Sequence, residues 1–267
     1  MWRKVEALNR SYLKTGVAVL LATALSVWGI GEIPIHKMPF SAFWNNIAIR
    51  TISSLFWVLL IKIFYPGALA RFTFRLDRKR LLIGLGIVAF LMVPRNLSHD
   101  LFNASLLQIL EGFLFALFIG IDEDLFSRGL IFAAIEKHGV GIAAGISSIH
   151  FGLLHVGNAI WGGQSFAYTS GQIVTAAAFG YLCCGLMLYT GSIWVPVLFH
   201  GLSDLPMQFL TKAQYVGEVT GRTDWVGVAV ESIIFIGGGW ALIQASDHGN
   251  KEKLHRVMKK FGLLEEE

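Results

Sequence analysis

The chain has 267 residues, of which 54% are hydrophobic and only 15% charged, and its mean hydropathy is +0.59. Soluble domains carry about 25% charged residues, so this balance argues against an ordinary globular protein and for a polytopic membrane protein. A net charge of +4 is too small to indicate nucleic-acid binding, and the cations gather at segment ends, where a membrane topology places them.

Eight apolar stretches approach the ~20 residues needed to span hydrocarbon. They lie at 15–31, 44–65, 80–94, 105–136, 140–157, 166–189, 191–209 and 224–244. The first follows a basic start, and its apolar run continues past Ala24, a conceivable cleavage point, to Trp28 and Ile30. It is therefore expected to be a retained helix rather than a signal peptide. Pro66, Pro94 and the Gly157–Gly163 stretch mark breaks between spans. The fourth stretch is long enough to tilt or to project from the bilayer. Adjacent Cys183 and Cys184 in the sixth offer neither a disulfide framework nor a zinc spacing and read as small packing residues. In the eighth, Gly237, Gly238 and Gly239 permit close helix approach.

With the N-terminus inside, sixteen basic residues fall on the cytoplasmic side, from Arg3 and Lys4 through Arg78, Lys79, Arg80 and Lys137 to the tail lysines. Only Lys37, Arg95, Lys212 and Arg222 fall opposite. This bias predicts an all-α bundle of about eight transmembrane helices with both termini cytoplasmic. Three regions follow: 1–104, three spans without a motif; 105–209, the motif-bearing core; and 210–267, the last span and a basic tail. The tail, from Lys251 onward, could form an amphipathic surface helix or an ordinary solvated terminus.

The fourth stretch carries Glu123, Asp124 and Arg128. An ionisable side chain at bilayer depth costs a few kcal/mol on insertion scales and tends to be kept for function. Asp124 and Arg128 are four apart and share a helix face. Glu123 is rotated by about 100° and can meet a different partner. A carboxylate in such a cavity suits a general base; a polar clasp between helices is the competing reading. The fifth stretch carries His150 and His155, about 140° apart around a helix and so unsuited to one shared ligand. His155, four residues after Phe151, is the candidate site residue, and His150 a structural one. The seventh stretch carries His200 and Asp204 at i,i+4. That pair could steady an oxyanion, bind a metal, or form an interhelical hydrogen bond. Depth estimates place Glu123, His155 and His200 about 20, 22 and 14 Å from the cytoplasmic ends of their spans. Convergence on one cavity is expected. Glu111 and Glu231 are expected to bond a neighbouring helix or face water.

These runs, in this order on separate spans, resemble the CPBP intramembrane protease family, also called the Abi or CAAX-protease family. Its eukaryotic relatives are the type II CAAX prenyl endopeptidases. The resemblance covers residues 105–209. It implies that Glu123 and His155 activate water for peptide hydrolysis. His200 and Asp204 would stabilise the oxyanion, with Asp124, Arg128 and Phe151 in support. Asp124 stands where the family usually has glutamate, and Asp204 where asparagine is common. An ionised Asp204 would oppose an oxyanion, whereas a protonated one could donate to it. Glu123, His155 and His200 could instead hold zinc with a coordinated water. No helix supplies the compact two-histidine spacing of zinc-protease helices, so a metal-free glutamate mechanism is favoured. The implied partners are the lipid bilayer and a membrane protein or peptide, CAAX-type prenylated substrates among them; no nucleic acid is expected, and the motifs fix no oligomeric state. The implied location is a multi-pass position in a bacterial-type cell membrane. A transporter or bacteriocin self-immunity factor would use the same cluster for binding, although no paired repeats with interrupted helices are present.

Overall fold

The computed structural model describes residues 42–73, 77–97, 105–210 and 219–247, together with Gly16 and Val216. The predicted first span, both termini and the basic tail lie outside them. Among the described residues the fold is helical throughout, without strands.

Helix α1 (Ala42–Phe64) ends before Pro66, which opens a 3-10 turn over Pro66–Phe72 and cannot donate a backbone hydrogen bond. Helix α2 (Arg78–Leu97) contains Pro94. Helix α3 (Leu106–Asp124) starts at a capping box, in which Ser105 accepts from the Gln108 backbone and Gln108 accepts from the Ser105 backbone. It continues without interruption through a π-helical stretch, Leu125–Ile131, into a last α-turn, α4 (Phe132–Ile135). Gly139, at φ 111°, reverses the chain into α5 (Val140–Leu154). His155 forms the joint between α5 and the short α6 (Val156–Ile160). Helix α7 (Phe166–Thr190) is capped by Ser165 and stopped by left-handed Gly191 at φ 76°. Helix α8 (Trp194–Asp204) passes into a 3-10 turn, Leu205–Phe209, and α9 (Trp225–Ala245) is capped by Asp224.

Four segments are long and apolar enough to cross a membrane by length and composition: Phe43–Phe64, Val140–Ile160, Phe166–Thr190 and Trp225–Ala245. They correspond to the second, fifth, sixth and eighth predicted stretches. The fourth becomes α3 and its continuation; Glu111, Asp122, Glu123 and Asp124 make it too polar to join them. The seventh becomes the 11-residue α8, only about 16 Å long against ~30 Å of hydrocarbon. Counting apolar residues overran the Gly191 turn at one end and the 3-10 turn at the other. Four membrane-crossing candidates are thus found among the described residues, and the first of the eight predicted spans lies outside them.

Helix α7 is the central element, with 61% of its apolar window buried against 28% for the windows in α1 and α9. Cys183 and Cys184 lie fully buried in it as free thiols, consistent with packing residues. Large apolar side chains point outward from the bundle, among them Leu55, Phe90, Val226 and Ile233. In water such a surface would be an association liability, whereas lipid satisfies it. The chain is an integral membrane protein on this reading of its apolar helices.

Candidate functional site

The site begins where α3 and α8 cross. A Cβ on Gly120 would stand 2.9 Å from the carbonyl oxygen of Val197 and 3.2 Å from His200 Cβ. A Cβ on Gly201 would stand 3.1 Å from Leu117 Cα. Two glycines facing each other's helix therefore let the backbones approach, and this approach sets His200 beside the acidic run that follows Gly120.

His200 is the hub of the resulting cluster. Its Nδ1 lies 3.4 Å from Asp124 Oδ2. Its Nε2 lies 3.7 Å from Glu123 Oε2 and 3.7 Å from Asp204 Oδ2. The ring is buried, while Glu123 and Asp204 are partly exposed. Since a carboxylate only accepts, the contact with Asp124 assigns a proton to Nδ1 and leaves Nε2 facing the other two carboxylates.

Asp124 also faces Arg128 across 2.9 Å, and both side chains are fully buried. The contact is close as an ion pair but not aligned as a hydrogen bond. The Arg128 guanidinium lies over the Phe151 ring, 4.3 Å from its centroid. Gly180 on α7 leaves the room for it, because a Cβ there would come within 2.8 Å of Arg128 Nη2. Phe151 in turn meets both imidazoles edge to face, His155 at 5.1 Å and His200 at 5.6 Å between ring centroids. The supporting trio Asp124, Arg128 and Phe151 thus forms one layer beneath the two histidines.

His155 Nδ1 is 3.0 Å from the Phe151 carbonyl oxygen. A carbonyl only accepts, so Nδ1 carries the proton and Nε2 of the neutral ring is an acceptor. A cavity of about 630 Å³ is bounded by Phe151, His155, His200, Asp204, Arg222 and Glu231, with further residues of α7 and α9. That size is typical of a ligand pocket. Glu123 is not on this wall; His200 links it to the cavity. His155 therefore joins the cluster through Phe151 and the shared cavity rather than by a contact to Glu123. Glu231, expected to bond a neighbour or face water, proves to line the cavity, whereas Glu111 is exposed on α3. His150 stays apart, its ring packing on Phe126 at 5.6 Å.

Among the described residues, no three of His, Cys, Asp and Glu are grouped to hold a metal ion. The conceivable zinc set of Glu123, His155 and His200 is not assembled as one.

Four residues without an expected role complete the acidic run. Asp122 accepts from Arg50 Nη1 at 2.8 Å, from Trp57 Nε1 at 2.9 Å and from the Ser53 hydroxyl. Arg50 Nη1 also reaches Glu123 Oε1 at 3.4 Å. Arg50 had the same signal that singled out Glu123, a lone charge inside an apolar span. Ser53 and Trp57 had none, since a serine and an indole within an apolar helix are unremarkable on their own.

Residues 105–206 match the family model described as type II CAAX prenyl endopeptidase Rce1-like. No curated protein and no solved structure matches the chain at a significant level.

Proposed function

The chain is related to the CPBP, or CAAX-protease, family through residues 105–206, and from that premise we propose that it is an intramembrane endopeptidase. Its substrates are membrane-associated proteins or peptides, CAAX-type prenylated ones included. The observation that carries this reading is His200, whose Nε2 is flanked by Glu123 and Asp204 at 3.7 Å each at the edge of a ligand-sized cavity. A protease acting at that depth needs a base, an oxyanion donor and a space for the peptide beside them.

Glu123 takes a proton from water, and the hydroxyl oxygen bonds to the scissile carbonyl carbon. The oxygen of that carbonyl becomes the oxyanion. His200, with Nδ1 occupied by Asp124, donates to it from a protonated Nε2, and a protonated Asp204 can assist. His155, fixed by the Phe151 carbonyl, presents Nε2 as an acceptor that orients the water. When the carbon–nitrogen bond breaks, the proton held by Glu123 passes to the leaving amine. Glu123, His155 and His200 are not grouped as a metal-binding set among the described residues, and no step is routed through a metal. The charge bias supports cytoplasmic placement of both termini, and the bacterial-type cell membrane is the proposed location.

The test uses the full chain in proteoliposomes with a quenched fluorescent peptide ending in a farnesylated Cys-aliphatic-aliphatic-X sequence, and with an unprenylated transmembrane reporter. Glu123→Gln is expected to fold and to lose cleavage of whichever probe the wild type cuts, by at least about 100-fold, the lower range for general-base removal. Undiminished cleavage by that variant would remove the hydrolytic reading.

A further inference from the structure

Helix α1 lies wholly outside the segment that matches the family model. Even so, it places three groups on the acidic run of α3. Arg50, Ser53 and Trp57 are spaced i, i+3 and i+7, which is one face of a helix. All three donate to Asp122. Ser53, Trp57 and Asp122 are buried, whereas Arg50 is partly exposed. Three donors satisfy the Asp122 carboxylate, and such a group holds its partners in fixed geometry. The same guanidinium nitrogen that bonds Asp122 sits 3.4 Å from Glu123 Oε1. The other oxygen of Glu123 faces His200. Each oxygen of the candidate base therefore has its own neighbour, one on α1 and one on α8.

We propose that Arg50 is a positioning residue for the hydrolytic site: anchored by Asp122, it holds one oxygen of Glu123 so that the other is aimed at His200 and the reacting water. The groups facing Glu123 from the packed elements are Arg50 on α1 and His200 on α8, with Asp122 on its own helix and Asp204 sharing His200. A base held at one oxygen keeps a fixed attack geometry; released, it rotates about its side-chain bonds. A small misplacement of a reacting group lowers turnover strongly and leaves substrate binding nearly intact. The matched segment supplies the reacting groups, and α1 supplies the brace. This rests on the hydrolytic reading of Glu123.

The experiment has two arms on the full chain in proteoliposomes. In the first, the farnesylated fluorescent peptide and the unprenylated reporter are cleaved by wild type, Glu123→Gln, Arg50→Ala, Arg50→Lys and the double variant Arg50→Ala/Asp122→Asn. The double variant is included because Arg50→Ala alone strands a buried carboxylate. On the cleaved probe, Arg50→Ala and the double variant are expected to lose kcat by about 10- to 100-fold with KM within about twofold. Arg50→Lys, which keeps the cation, should recover a substantial part of the loss. In the second arm, thermal unfolding is compared for wild type, Arg50→Ala, Glu123→Gln and their combination. The combined change is expected to fall short of the sum of the single changes, because the two side chains share one interaction.

Wild-type kcat in Arg50→Ala and the double variant, with Glu123→Gln inactive, overturns the role of Arg50 and leaves the hydrolytic reading standing. A parallel rise in KM, or no rescue by lysine, also overturns it in favour of a merely structural contact. Full cleavage by Glu123→Gln overturns the hydrolytic reading, and Arg50 as a brace for hydrolysis falls with it; non-additive unfolding would then uphold the Arg50–Glu123 pair as a contact alone.

Discussion

At the scale of single residues, Asp124 is the group on which most depends. One oxygen faces the Arg128 guanidinium at 2.9 Å, and the other faces His200 Nδ1 at 3.4 Å. Neither Asp124 nor Arg128 has solvent contact through its side chain. Breaking a buried pair strands a charge, which destabilises by about 3–5 kcal/mol. Asp124→Asn is therefore expected to lower stability by roughly that amount, and to impair activity through the imidazole it no longer orients. Denaturant unfolding in mild detergent, read beside cleavage of the same probes, checks both effects. The spacing of Asp124 and Arg128 made their pairing legible in the sequence, and so did the shared face of His200 and Asp204. Two relations were not legible. Asp124 reaches across 76 residues of sequence to His200, and Arg50 across 73 to Glu123. Helical periodicity reports only neighbours on the same helix, so partners on other helices appear once the crossing is known.

Among the helices, the α3–α8 crossing decides whether the separated motifs become one site. Gly120 and Gly201 are its contact points, and a side chain at either meets backbone rather than a movable side chain. Gly201→Val is expected to push the helices apart, at about 1–3 kcal/mol in stability, as overpacking does. Because His200 is the adjacent residue, cleavage should fall by more than the lost stability explains; Tm and kcat measured on one preparation separate the two effects. The glycine count was visible in the sequence, but these two glycines carried no mark distinguishing them from the other 27. The α8 boundaries were missed for a related reason. An apolar run registers composition, whereas the Gly191 turn and the Leu205–Phe209 turn are set by backbone geometry. Helix α3 was better read, since its start coincides with the capping Ser105 at the predicted position.

For the whole molecule, the bundle is organised around α7, with lipid-facing helices on its outside and a cavity on the side of α8 and α9. Composition alone conveyed the helical membrane class, because only internally bonded backbone is stable in hydrocarbon. The cavity was anticipated as a convergence of three motifs, but only His155, His200 and Asp204 reach its wall while Glu123 does not, and Glu231 and Arg222 enter it from the last described helix and the segment before it. The donor geometry bears on cofactor use. Protein purified without added zinc is expected to contain substoichiometric metal and to keep its cleavage rate after chelator treatment, as measured by elemental analysis and the peptide assay. Stoichiometric zinc, lost together with activity and restored with it, would replace the glutamate mechanism by a metal one.

The π-helical stretch directly after Asp124 has its own implication. Such a stretch absorbs an extra residue within an otherwise α-helical frame. Deleting one residue between 125 and 131 would rewind it to ordinary pitch while the flanking turns keep their phase, and the side chains inside the stretch would shift their facing. The acids that precede the stretch would keep their neighbours, whereas the Arg128 guanidinium within it would be re-aimed relative to Phe151 and Gly180. Spacing in this stretch is consequently constrained more tightly than side-chain chemistry, and drift there should proceed by replacement rather than by insertion or loss.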